Sequence, residues 1–110
     1  MAKYEKLVHG DFDQLIERID RAIMNNSSSA SFEDSSRYSA GSFRCETRVY
    51  ERFSWMGGNR VSMAVTLVGT ENSYHLSIIT SGGSQAMFFK INTIGEEEFL
   101  NSIIQEVEAM

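Results

Sequence analysis

A chain of 110 residues is the size of one domain built on one core. Its 42% hydrophobic and 23% charged residues, eight glycines and no proline sit near globular averages, which argues against disorder and low-complexity structure. A formal charge of −5 argues against generic binding to nucleic acid or an anionic membrane, the single cysteine excludes an internal disulfide or a cysteine-built zinc site, and the lack of a signal-like or membrane-length apolar run points to a cytoplasmic protein.

From Lys3 to His9 the chain is short and β-compatible, and Gly10 breaks it before Asp11, which with Gln14 forms a capping-box-like helix start. Phe12, Leu15, Ile16, Ile19, Ala22 and Ile23 then recur at helical spacing, with charged residues on the far side. A polar loop from Asn25 to Ser29 ends this helix, and Ala30 to Tyr38 alternates weakly, as an edge strand does. The clearest strand follows: Phe43, Cys45, Thr47, Val49, Phe53 and Trp55 alternate with Arg44, Glu46, Arg48, Tyr50, Arg52 and Ser54, which predicts the first set in the core and the second in solvent. Gly57-Gly58-Asn59 predicts a tight turn into Val61, Met63, Val65 and Leu67. A turn at Gly69 to Ser73 leads to Tyr74, Leu76, Ile78 and Thr80, and one at Ser81 to Ser84 into a strand with Met87, Phe89 and Ile91. Gly95 and Glu96 to Glu98 open a C-terminal helix whose stripe is Phe99, Leu100, Ile103, Ile104 and Val107.

The predicted fold is α+β in the order strand, helix, strands, helix. A single antiparallel sheet of four to six strands carries both helices on one face and leaves the other open. Between Arg37 and Arg60, five arginines face two glutamates, a net of +3; elsewhere 5 basic and 13 acidic residues sum to −8.

No catalytic constellation is visible, and no cofactor or metal is implied. Cys45 alternates with core residues and is expected to be a buried structural thiol. His9 and His75 lack metal-ligand spacing, and three successive glutamates on a helix point about 100° apart and cannot converge on one cation. Ser81, Gly82, Gly83 and Ser84 have the composition of an anion-cradling nest, with Gln85, Lys90, Asn92 and Thr93 grouped nearby, although a plain hairpin turn accounts for them more simply.

Asn59-Arg60-Val61-Ser62, Val65-Thr66-Leu67-Val68-Gly69, and the stretch from Ser81-Gly82-Gly83-Ser84-Gln85-Ala86 through Phe88-Phe89-Lys90-Ile91-Asn92-Thr93 to Gly95-Glu96 resemble a family of small bacterial proteins catalogued as a domain of unknown function, number 6054. The resemblance covers nearly the whole chain. It implies a bacterial source and one domain spanning residues 1–110, and it brings no activity, substrate or catalytic residue.

The informative surface is the open sheet face. Alternation predicts Arg44, Arg48, Tyr50 and Arg52 there, beside Ala64, Thr66 and Val68, then His75, Ser77 and Ile79, then Phe88 and Lys90. A mixed apolar and arginine-bearing face, with Glu46 and Glu51 as available ion-pair partners, points first to a binding or self-association module, as a homodimer or with another protein. A small-molecule or anion-binding protein, using the helix–sheet cleft or the Ser81–Ser84 turn, comes second and an enzyme third. Single-strand nucleic-acid binding is disfavoured by the acidic remainder of the surface.

Overall fold

Five strands and two helices follow one another as β1 (Ala2–His9), α1 (Phe12–Asn25), β2 (Ser31–Ala40), β3 (Phe43–Ser54), β4 (Asn59–Thr70), β5 (Ser73–Gly82) and α2 (Phe89–Glu108) in a computed structural model that describes residues 2–26, 29–54, 59–82 and 89–110. This is the expected α+β order. All strand pairs are antiparallel, in the spatial order β1-β5-β4-β3-β2, so β4 is the middle strand and β1 and β2 are the edges.

Asp11 caps α1: its side chain accepts a hydrogen bond from the Gln14 amide at 3.1 Å, satisfying one of the orphan donors of the first turn. The apolar stripe of α1 is buried from Phe12 to Ile23 and meets Phe99, Leu100, Ile103 and Val107 of α2 in one core. Val61, Met63, Val65 and Leu67 of β4 and Tyr74, Leu76 and Ile78 of β5 supply the sheet side of that core. Each such large side chain stabilises the fold by about 1.5–3 kcal/mol through burial. Lys6 on β1 holds the far end of α2, donating to the carbonyls of Glu108 at 2.6 Å and Val107 at 3.4 Å, where the helix dipole is negative.

Two hairpins turn where the sequence changes character. Glu71 and Asn72 take the left-handed conformation (φ 54° and 63°) between paired Thr70 and Ser73, as two-residue hairpins require, and Gly41 (φ 58°) does the same between β2 and β3. Gly57 and Gly58, expected in the turn between β3 and β4, lie outside the described residues.

One expected element is replaced. The strand predicted through Met87, Phe89 and Ile91 does not form: α2 begins at Phe89, and Met87 lies outside the described residues. The reason is topological. β5 is already paired with β4 on one side and with β1 on the other, so a strand following it has no place beside it. Glu96, Glu97 and Glu98 are therefore inside α2 rather than at its start, and Glu96 is buried.

Gly69 is required by close packing. A Cβ placed there would lie 2.2 Å from the Ser73 carbonyl oxygen and 2.9 Å from the Tyr74 Cα, both backbone atoms. Gly69→Ala is expected to cost at least about 2 kcal/mol in denaturant unfolding, because the β4–β5 hairpin must shift to admit it. An unchanged midpoint would show that the hairpin is looser than this packing implies.

Candidate functional site

The pairing of β3 with β4 decides what each sheet face carries. Glu46 lies opposite Leu67, Arg48 opposite Val65, Tyr50 opposite Met63 and Arg52 opposite Val61. Directly paired residues project from the same face, so these β3 residues point toward the helices. The prediction that Arg44, Arg48, Tyr50 and Arg52 stand on the open face is thus corrected: the whole strand is turned over, as a one-residue change of phase requires. Its cause lies in partners outside β3. α1 sends Asp13 and Asp20 across β2 and β3, giving the inward arginines carboxylates to meet.

The resulting ladder is continuous. Arg37 Nη1 donates to Asp13 at 2.7 Å and Arg37 Nε to Glu46 Oε1 at 2.5 Å. Arg48 Nη1 donates to Glu46 Oε2 at 2.8 Å, Arg48 Nη2 to Asp20 Oδ1 at 3.2 Å, and Arg48 Nε to the Tyr50 hydroxyl at 2.8 Å. Tyr50 in turn donates to Asp20 Oδ1 at 2.7 Å, and the Arg48 guanidinium lies 4.4 Å from the Phe32 ring centre. Arg44 folds onto the carbonyls of Gly41 and Phe43, while Arg52 lies 5.1 Å from the Phe99 ring centre and 3.7 Å from Glu98. The arginines are engaged within the fold.

The open face instead carries the other phase of β3, arranged in rungs across the sheet. The central rung reads Glu5, Ser77, Thr66, Thr47 and Ser36. From Ser77 to Ser36 it is a row of hydroxyls, with Thr47 and Thr66 hydrogen-bonded at 3.3 Å and the Glu5 carboxylate at its β1 end. On one side lies the rung Leu7, His75, Val68, Cys45 and Tyr38; on the other, Lys3, Ile79, Ala64, Val49 and Asp34. Phe43, packed edge-on against Tyr38 at 6.2 Å, and Phe53 extend the face along β3.

Among the described residues, seven large apolar side chains are exposed, and five of them are on this face: Leu7 (58%), Tyr38 (63%), Phe43 (37%), Phe53 (39%) and Ile79 (37%). Of the predicted site residues, Val68 and Ile79 are where expected, Phe88 lies outside the described residues, and Lys90 is in the first turn of α2. Cys45, expected in the core, is half-buried on the open face beside Val68. His75 stands 3.1 Å from Glu5, which also pairs with Lys3 at 3.3 Å.

Leu7, Tyr38, Phe43 and Phe53 were not anticipated as surface residues. A usable signal existed. A two-residue turn at Gly57-Gly58 pairs even-numbered β3 residues with odd-numbered β4 residues, and Val61, Met63, Val65 and Leu67 are unambiguously core. The observed connection has four residues, because Ser54 pairs with Asn59, and it has the same phase.

The expected anion turn is partly occupied by the protein itself. Ser81 and Gly82 are the end of β5, paired with Ser62 and Val61, and the Gly82 amide donates to Glu96 Oε1 at 2.8 Å. Gly82 is not among the glycines with positive φ, and Gly83 and Ser84 lie outside the described residues. No group of three or more His, Cys, Asp or Glu side chains converges as a metal site among the described residues. No helix among them is long and apolar enough to cross a membrane.

The fold and this surface define the class: a two-layer α+β protein whose single antiparallel sheet is covered by helices on one side only. The chain belongs to the DUF6054 family, a family of unknown function, whose profile matches residues 1–110. No curated protein matches the chain.

The polar ladder yields a test of its own. Burial, reinforced by the hydrogen bond to Asp20, pushes the Tyr50 phenol well above its ordinary pKa. Since folding favours the neutral phenol, its contribution to stability is complete below about pH 10, the ordinary tyrosine pKa, and is lost as pH rises beyond it. Tyr50→Phe should cost about 1–3 kcal/mol at neutral pH by leaving Asp20 and Arg48 short of a partner. It should also flatten the decline of stability above pH 10, measured by urea unfolding across that range.

Proposed function

We propose that the protein is a non-catalytic binding module that works through its uncovered sheet face, where another protein surface completes the burial that the helices supply on the opposite side. The observation that carries this reading is that, of the seven large apolar side chains exposed among the described residues, five are collected on one face. The centre of that face is free of charge, with small and β-branched residues at Ala64, Thr66, Thr47 and Ser77. Interfaces are likewise depleted in charge at their centre and enriched in aromatic side chains, and here Tyr38 and Phe43 stand on one flank of that centre. The alternative, a small ligand in the helix–sheet cleft or an anion at the Ser81–Ser84 turn, has less support. The cleft is filled by core side chains, and the Gly82 amide is engaged by Glu96.

If these residues serve binding rather than folding, Leu7→Thr with Ile79→Thr should leave the unfolding free energy of dilute protein within about 0.5 kcal/mol of wild type, as ordinary surface substitutions do. A loss of about 2 kcal/mol or more would assign them to the fold and end this reading.

Cys45 reports on occupancy. Relative to a solvent-exposed reference thiol introduced by Glu17→Cys, alkylation of Cys45 by a permeant maleimide should be at least about tenfold slower in intact cells than in dilute purified protein. Equal ratios in the two settings would mean that nothing covers the face.

A further inference from the structure

We propose that the occupant of the open face is a second copy of this chain, stacked face to face about a two-fold axis that runs along β4; this inference rests on the binding-face reading above.

Three properties of the face favour a copy of itself. The first is size. Five strands spaced by about 4.8 Å, each about ten residues long at about 3.3 Å per residue, present about 800 Å². That is the area each partner contributes to a standard stable interface, about 1,600 Å² in total. The second is charge. The chain carries −5, yet among the described residues Lys3 and Arg60 on this face stand against Glu5, Glu51, Asp34 and, at its rim, Glu33 in the bulge beside Ser31, a balance of −2. Most of these charges are already paired, Lys3 with Glu5 and Arg60 with Glu51 at 2.9 Å. Two acidic chains repel through the rest of their surfaces and can approach closely only through a face that is nearly neutral. The third is shape. β4 is the middle of five strands, and its outward residues at the centre, Ala64 and Thr66, are small. Larger groups stand on both flanks, Leu7 and Ile79 on one and Tyr38 and Phe43 on the other.

An isologous stack of two sheets has its two-fold axis in the plane between them, either along the strands or across them. An axis across the strands would set β1 on β1 and bring Glu5 of the central rung onto its own copy, which like-charge repulsion opposes. An axis along β4 keeps each rung on itself and exchanges the flanks. Leu7 then meets the partner's Tyr38, Ile79 meets the partner's Val49, and Lys3 reaches the flank bearing the partner's Asp34. Aliphatic side chains fall on the aromatic flank, and the Asp34 carboxylate gains a cation. The hollow of about 190 Å³ lined by Asp34, Ser36, Thr47 and Val49 lies on that same flank and is large enough to receive an aliphatic side chain. A crossing of about 30° between aligned sheets displaces the strands next to β4 by about 2.5 Å, under half of the roughly 6.6 Å between rungs, so Ile79 keeps the partner's Val49; the outermost strands move by about 5 Å, which carries Leu7 along the aromatic flank and which the long Lys3 side chain can span to the partner's Asp34.

Sedimentation of the full chain from 1 to about 500 µM tests the proposal. A reversible monomer–dimer equilibrium is expected. Thr66→Arg, at the axis, should weaken it at least about a hundredfold while leaving the circular dichroism spectrum unchanged, and Glu17→Lys on the outer side of α1 should not alter it. Lys3→Asp and Asp34→Lys should each weaken the dimer about tenfold, and the two together should restore it. A monomer throughout the range overturns the proposal, as does a dimer indifferent to Thr66→Arg, or a double charge exchange that fails to restore association. Protection of Cys45 in cells combined with a monomer in solution would overturn the second copy while leaving the binding-face reading in place.

Discussion

In the pairing of β3 with β4, Arg48 lies opposite Val65 and Glu46 opposite Leu67, so two charged residues share a face with two that are completely buried. The properties of both sheet faces depend on this register. Because side chains alternate with a period of two, no local adjustment can return Glu46 and Arg48 to solvent without also moving Phe43, Cys45 and Val49 inward. The helix side accepts the charges because α1 lies alongside α2 with its acidic flank toward β2 and β3. Asp13 and Asp20 stand where Arg37 and Arg48 arrive.

Burying ions is costly, and a buried pair is weak evidence for stability. Here the cost is reduced by position and by closure. Arg37 and Asp13 remain 44% and 72% exposed at the outer end of the ladder, and only Glu46, at 4%, is withdrawn from water with both of its oxygens accepting from arginine. A side chain without an oxygen acceptor in place of Glu46 would leave Arg37 and Arg48 without their shared acceptor. The ladder also ties β2 and β3 to α1, whose apolar stripe is buried in the core shared with α2, β4 and β5. β2 would otherwise be held through β3 alone.

The same register gives the opposite face exposed apolar side chains without making it a second core. Its hydroxyl row, flanked by aliphatic and aromatic side chains, is compatible with water in an isolated chain and with close stacking in an assembly. The edges are treated differently. β2 carries a bulge between Phe32 and Asp34 and two carboxylates at Glu33 and Asp34, and β1 carries Lys3, Glu5 and Lys6. Charges and bulges at sheet edges oppose edge-to-edge pairing. Association through the face, rather than extension of the sheet, is what this distribution allows.

The sequence by itself determined the elements that have a single strong apolar phase. The stripe from Phe12 to Ile23, the stripe from Phe99 to Val107, and the alternation of Val61 to Leu67 and Tyr74 to Thr80 each specify both an element and its buried side, because no other orientation removes so much apolar surface from water. Asp11 as a helix cap and β2 as an edge strand were legible for the same local reasons. Only tertiary structure decided the rest. On β3 both phases contain groups that can be buried, one apolar and one charged but pairable. The choice between them belonged to Asp13, Asp20 and the β4 register, none of which is adjacent in sequence. The apolar run near Phe89 was equally open to strand or helix, and it became helix because β1 had already taken the remaining side of β5. Periodicity states that a strand has two faces; which one meets the helices is settled by the neighbours it pairs with.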